Sequence, residues 1–130
     1  MKFISLFAGI GGFDLGFERA GHQCVAQVEI DPKCRQTLAE HWPNVPKFAD
    51  VCQVGAHNLP QCDAIVGGFP CQDISVAGNR AGISGQRSGL FYEMVRVAAE
   101  LLPKFVIFEN VPNLLSGKDI VDYEKELHPY

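Results

Sequence analysis

The sequence predicts an α/β domain built on a doubly wound, mostly parallel sheet. Three observations lead there. Short apolar runs alternate with helical stretches along the chain, the runs read as strands buried on both faces, and turn or acidic residues stand at their ends. With 130 residues, 47% of them hydrophobic and 10% aromatic, there is material for one packed core and hence one domain.

Taken in order, Phe3-Ile4-Ser5-Leu6-Phe7 is strand one and residues 12–20 are the helix after it. Residues 23–29 carry Val25 and Val28 in strand two. Asp31 is placed to cap a helix that Pro32 opens at its favoured first position, and the helix runs to Trp42 before Pro43 closes it. Phe48-Ala49-Asp50-Val51 is a short third strand, and residues 63–67 are the fourth, reached through a polar loop with Asn58 and Pro60. Residues 73–88 hold glycines at 78, 82 and 85 with no periodicity, which describes a long loop. Leu90, Val95, Val97, Ala98, Leu101 and Leu102 follow helical spacing up to Pro103. Phe105-Val106-Ile107-Phe108 is then a fifth, continuous apolar strand with right-handed crossovers expected throughout.

Composition excludes several classes. The five cysteines are odd in number and never spaced Cys-x-x-Cys, and no signal peptide precedes them, so a reducing cytosol is the expected compartment. His22, His41, His57 and His128 are scattered, so no structural or catalytic metal is expected. No apolar stretch is long enough to span a membrane, and the protein is expected to be soluble. A net charge of −4 means that any contact with nucleic acid is local or supplied by another chain.

Two turns carry chemistry. Phe7-Ala8-Gly9-Ile10-Gly11-Gly12-Phe13 joins strand one to its helix, a glycine turn that lets a ligand reach unpaired helix amides. About twenty residues on, Glu29 stands where a doubly wound fold holds ribose hydroxyls with a carboxylate. Asp14 interrupts the full Gly-x-Gly-x-x-Gly spacing, so a nucleoside without phosphates fits better than a dinucleotide. Ile30 is a candidate to stack on adenine and Asp50 to accept from its amino group; core packing and turn capping are their alternatives. In Gly67-Gly68-Phe69-Pro70-Cys71-Gln72, Cys71 lies past a buried strand, where backbone dipoles or cations lower a thiol pKa; a structural cysteine is the alternative. Glu109, at the exit of strand five, would share that crevice. Partial burial there would let it exchange a proton with a heterocycle, against the alternative of a turn acid. Arg80 and Arg87 let the long loop reach phosphates or a base edge, unless they are solvated loop charges.

These residues resemble the DNA cytosine carbon-5 methyltransferases. Phe7 to Phe13 is similar to the family's first motif, Gly67 to Gln72 to its Pro-Cys nucleophile motif, and Glu109-Asn110-Val111 to the acidic motif that follows. Glu29, Asp50 and Gly89-Leu90-Phe91 align in the same order. The resemblance implies a Rossmann-like fold using S-adenosylmethionine, with the cofactor over Phe7, Ala8, Gly9, Gly11 and Gly12, Glu29 on its ribose, and Pro70 at its edge. It implies that Cys71 adds to carbon 6 of a cytosine flipped out of DNA while Glu109 engages N3.

Residues 1–130 would then be the cofactor-binding and catalytic portion, with the later arginine motif, the target-recognition region and the last strands without a counterpart. The sheet would be incomplete on its C-terminal side, and its open edge should invite a partner. The expected function is cytosine-5 methylation of DNA by a prokaryotic or phage restriction-modification enzyme, completed by a second polypeptide or a missing C-terminal part. Three other readings stand beside it: an inactive fragment that at most binds S-adenosylmethionine, a tRNA cytosine-5 methyltransferase, and, more distantly, an NAD-dependent oxidoreductase.

Overall fold

The computed structural model describes residues 1–69 and 89–109. Its elements are β1 (Lys2–Leu6), α1 (Gly12–Arg19), β2 (Gln23–Val28), α2 (Pro32–His41), β3 (Lys47–Phe48), β4 (Ala64–Gly67), α3 (Gly89–Leu101) and β5 (Phe105–Phe108). All pairings are parallel, in the order β3-β2-β1-β4-β5. β1, the first strand in sequence, is therefore central, and the order reverses between β1 and β4. That is the switch point at which open α/β sheets hold ligands beyond the strand carboxyl ends.

The apolar runs earn their burial. Phe3, Ile4 and Leu6 of β1, Ala26 and Val28 of β2, and Ala64, Ile65 and Val66 of β4 are all buried. One face, with Ile4, Leu6, Val28 and Ile65, packs under Met94, Val97 and Leu101 of α3 and under Val51, Val54 and Leu59. On the other face Phe3, Cys24, Ala64 and Val66 meet Phe13 and Phe17 of α1. Such alternation is the doubly wound arrangement. At the end of β4, a Cβ on Gly67 would lie 2.5 Å from the Leu6 carbonyl oxygen, so glycine is what lets β1 and β4 close there.

Helix limits follow local chemistry. Asp31 caps α2 as expected, its Oδ1 accepting from the amides of Lys33 at 2.7 Å and Cys34 at 3.3 Å, with Pro32 at the first helical position. Beyond α3, Leu102 turns left-handed at φ 49° and Pro103 follows.

Two expectations are corrected. Strand three is only Lys47–Phe48, because Asp50 folds back to cap a short 3-10 turn, Val51–Gln53, its Oδ1 accepting from the Cys52 amide at 2.9 Å. A side chain that offers the backbone a local acceptor competes with the sheet ladder. Strand five is apolar but not buried on both faces: Phe105, Val106 and Phe108 are exposed at the sheet edge.

Candidate active site

Above the carboxyl ends of β1 and β2, the chain makes a tight bend. Phe7 leaves β1 in the left-handed region at φ 54°, Gly9 and Gly11 follow at φ 56° and 92°, and Gly11 opens α1. A left-handed phenylalanine is unusual backbone strain, of the kind that clusters at functional sites. The bend is tied to the sheet by the Ala8 amide donating to the Val28 carbonyl at 3.1 Å. A Cβ on Gly11 would strike the Trp42 ring, whereas above Gly9 and Gly12 there is open space. Among the described residues no side chain caps α1. Glycine is thus required on the packed side of the bend, and a ligand can approach its open side.

Glu29 closes the bend from β2. Its Oε2 accepts from the Gly9 amide at 2.7 Å and its Oε1 from the Asp31 amide at 2.9 Å, so the carboxylate bridges the turns that follow β1 and β2. Two oxygens carry about four acceptor positions, which leaves capacity for hydroxyls. Ile30, beside it, is 69% exposed, which removes core packing as its role. Asp50 performs the capping alternative.

On the other side of the switch point β4 and β5 release their ends together, with the Glu109 amide donating to the Gly67 carbonyl at 3.0 Å. Glu109 therefore reaches the mouth of the crevice beside the strand that leads into Phe69. It is exposed, so the partial burial expected for it is absent. A Cβ on Gly68 would lie 2.6 Å from Glu109 Oε2: the missing side chain gives the carboxylate its room. Phe69 is buried and stacks edge-on with Phe91 and Phe108 at centroid distances of 5.0 and 6.4 Å, anchoring the turn that follows β4. Pro70, Cys71, Arg80, Arg87 and Asn110 lie outside the described residues.

Sequence reasoning missed a buried polar cluster beneath the bend. Asp14, fully buried in the first turn of α1, accepts from Ser5 Oγ at 2.9 Å, Gln27 Nε2 at 2.7 Å and Cys24 Sγ at 3.4 Å. It ties α1 to β1 and β2. Burial, and then the Asp14 charge, push the Cys24 thiol well up. The signal was present: Ser5 and Gln27 are polar residues inside otherwise apolar strands, and each needed a buried partner.

Among the described residues no group of three His, Cys, Asp or Glu side chains could hold a metal, and no helix is long and apolar enough to cross a membrane. A hollow of about 500 Å3, lined by Gly12, Phe13, Gly16, Phe17, Ala20 and His22, runs along α1 toward the opposite end of the sheet from Glu29 and Glu109.

Residues 1–127 match the sequence profile of the family described as C-5 cytosine-specific DNA methylase. Among curated proteins, the chain is 40% identical over 119 residues to the type II methyltransferase M.FnuDI of Fusobacterium nucleatum, covering 92% of this chain and 35% of that one. It is 38% identical over 124 residues to M.AquIA of a Picosynechococcus strain, covering 88% of this chain and 50% of that one. Among solved structures, a DNA modification methyltransferase encoded within an E. coli prophage superposes with a TM-score of 0.80 at 32% identity, over 99% of this chain and 38% of that one. The S. pombe Dnmt2 methyltransferase has the same fold, with a TM-score of 0.75 at 23% identity, over 99% of this chain and 42% of that one. The chain thus spans between about a third and a half of the length of these relatives.

Proposed function

The chain belongs to the C-5 cytosine-specific DNA methylase family, and from that premise we propose that it is the cofactor-binding and catalytic portion of an enzyme that methylates carbon 5 of cytosine in DNA. The observation that carries this reading is the crevice itself. An open glycine bend bonded to a carboxylate faces, across the switch point, a second acid at the exit of β5, with the Pro-Cys motif in the chain that leaves β4.

The residues around the bend fit S-adenosylmethionine. Open space above Gly9 and Gly12 admits the ligand to the backbone, α1 begins without a side-chain cap, Glu29 retains acceptor positions for ribose hydroxyls, and exposed Ile30 offers an apolar surface to a flat base. Phe7, Ala8 and Gly11 shape the bend, and Pro70 and Asp50 complete its rim in this reading. The bound cofactor supplies an electrophilic methyl group on sulfur.

The protein's part is to make carbon 5 a nucleophile. The Cys71 thiolate would add to carbon 6 of a flipped cytosine, with Glu109 at N3 so that the electron pair gathers at carbon 5, which would take the methyl group as its bond to the cofactor sulfur breaks and S-adenosylhomocysteine is left. Loss of the carbon-5 proton then expels the thiolate and restores the ring. Arg80 and Arg87 would contact the DNA backbone or a base edge from their loop. Target recognition falls to a second polypeptide or to the portion of the relatives that this chain does not span.

The test is trapping. With partner polypeptides added, DNA carrying 5-fluorocytosine should yield a covalent adduct on Cys71, visible as a gel-shifted band resistant to denaturant and absent in C71S. No adduct with any partner, alongside cofactor binding by the chain, would leave the reading of an inactive cofactor-binding fragment. An adduct formed on tRNA but not on DNA would transfer the same chemistry to RNA.

A further inference from the structure

The turn between β2 and α2 is held by a residue to which neither the motifs nor the proposed chemistry assigns a role. Arg35, one turn into α2, reaches back with a single nitrogen, Nη1, and donates at 2.7 Å both to the Glu29 carbonyl and to the Ile30 carbonyl. Its own amide donates to the Asp31 carbonyl at 3.0 Å, so three consecutive carbonyls of the turn are taken by one residue. A cation this near a helix N-terminus works against the helix dipole, so helix electrostatics does not explain an arginine there. The carbonyls do: charge-assisted bonds to both fix the path of a turn whose exposed apolar side chain would otherwise leave it loose.

What the turn carries gives this its meaning. Glu29 grips the glycine bend through Gly9, and Ile30 is 69% exposed on a backbone clamped on both sides. An exposed isoleucine pays nothing into the core, so holding it in one orientation serves something outside the core.

We propose that Arg35 is a positioning residue for the cofactor site. By binding the carbonyls of Glu29 and Ile30 it presets the turn so that the carboxylate and the isoleucine meet one ligand together. The inference rests on the reading of Glu29 and Ile30 as the ribose and base contacts, and adds that their alignment is imposed from α2.

Calorimetric titration of the full chain with S-adenosylmethionine separates the two. Loss of binding in E29A tests the site reading; R35M, which keeps the side-chain stem and removes the donors, tests the inference. R35M and I30A should each weaken binding about tenfold, as loss of preorganisation does, and the double variant should be little weaker than either. R35K, which keeps a charged donor on a side chain of shorter reach, should fall between. Full additivity of R35M with I30A, or unchanged affinity in R35M, would overturn it. A second measurement needs no ligand. Hydrogen exchange at the Gly9 and Asp31 amides, which both donate to Glu29, should quicken about tenfold in R35M while the amides of β1 keep their rates. Equal exchange in the two proteins would overturn the proposal as well, and R35K supplies the comparison if R35M does not fold.

Discussion

Asp14 shows how much one side chain can hold. It is a carboxylate sealed from water whose cost is met by three donors from two strands. Removing it takes the acceptor from Ser5 Oγ and Gln27 Nε2 and leaves Cys24 Sγ only the Ala26 carbonyl at 3.6 Å. D14A should therefore lower unfolding stability by about 3 kcal/mol, and D14N by less, read from urea midpoints; a loss under about 0.5 kcal/mol would show that the cluster is not a tie. The thiols make a second residue-level prediction. Burial raises Cys24 and lifts Cys62 to about 11, and desolvation followed by neighbouring acids raises Cys34 and Cys52. All four are disfavoured as thiolates near neutrality, so brief alkylation at about pH 7 should label Cys71 first if it is the activated nucleophile, with peptide mass spectrometry reading the order. Asp14 taken alone is ambiguous in the sequence, because an acid in the first turn of a helix reads equally as a dipole partner; the signal lay in Ser5 and Gln27, polar residues within apolar strands that need a buried partner.

At the scale of elements, α3 is latched to the segment before β4. Arg96 pairs with Glu93 and Glu100 at 2.7 Å and donates to the carbonyls of Val51 and Val54, while Glu100 accepts from the Ala56 amide at 2.9 Å. A Cβ on Gly55 would collide with Glu100, so glycine makes the latch fit. The Ala56 bond, and then Arg96, hold Glu100 below its ordinary 4.5. A folded-state value depressed below the unfolded one gives stability that is present above about 4.5 and lost as pH falls through the folded value. E100Q should thus lower stability in the neutral region, where the charged latch contributes, while changing it little below the folded value, so that the acid limb of a stability-against-pH curve flattens; an acid limb identical to wild type would exclude the latch as its source. Strands β1, β2, β4 and β5 and all three helices were readable, since apolar runs, Asp31-Pro32 and Pro103 each have one strong local meaning. Strand β3 was overextended because Asp50 had two meanings, ladder residue or cap, and only its bond to Cys52 decides. The spacing of Glu29 to the bend pointed to their proximity, which its bond to the Gly9 amide shows, whereas the carbonyl contacts of Arg35 were not readable, because a helical arginine carries no mark of the carbonyls it will meet.

For the whole molecule, the consequential surface is the outer edge. Parallel sheets are ordinarily covered on both faces, yet β5 presents Phe105 at 52% exposure together with Val106 and Phe108. Among the described residues no strand pairs with the outer edge of β5, and such an edge flanked by apolar side chains favours association. F105S should reduce concentration-dependent light scattering of the isolated chain while changing the unfolding free energy, read from urea melts, by no more than about 0.5 kcal/mol, since little burial is lost. Equal scattering would place the sticky surface elsewhere.

The central position of the first strand has a consequence for synthesis on the ribosome. β1 is made earliest and can accept β2 as soon as that strand emerges, but its other flank waits for Ala64–Gly67, the whole β2-to-β3 stretch intervening. Until then the nascent chain displays a half-zipped ribbon to chaperones and to neighbouring nascent chains. Slowing translation before residues 64–67 have emerged should lengthen that window and lower the soluble yield, whereas a pause after their emergence should not.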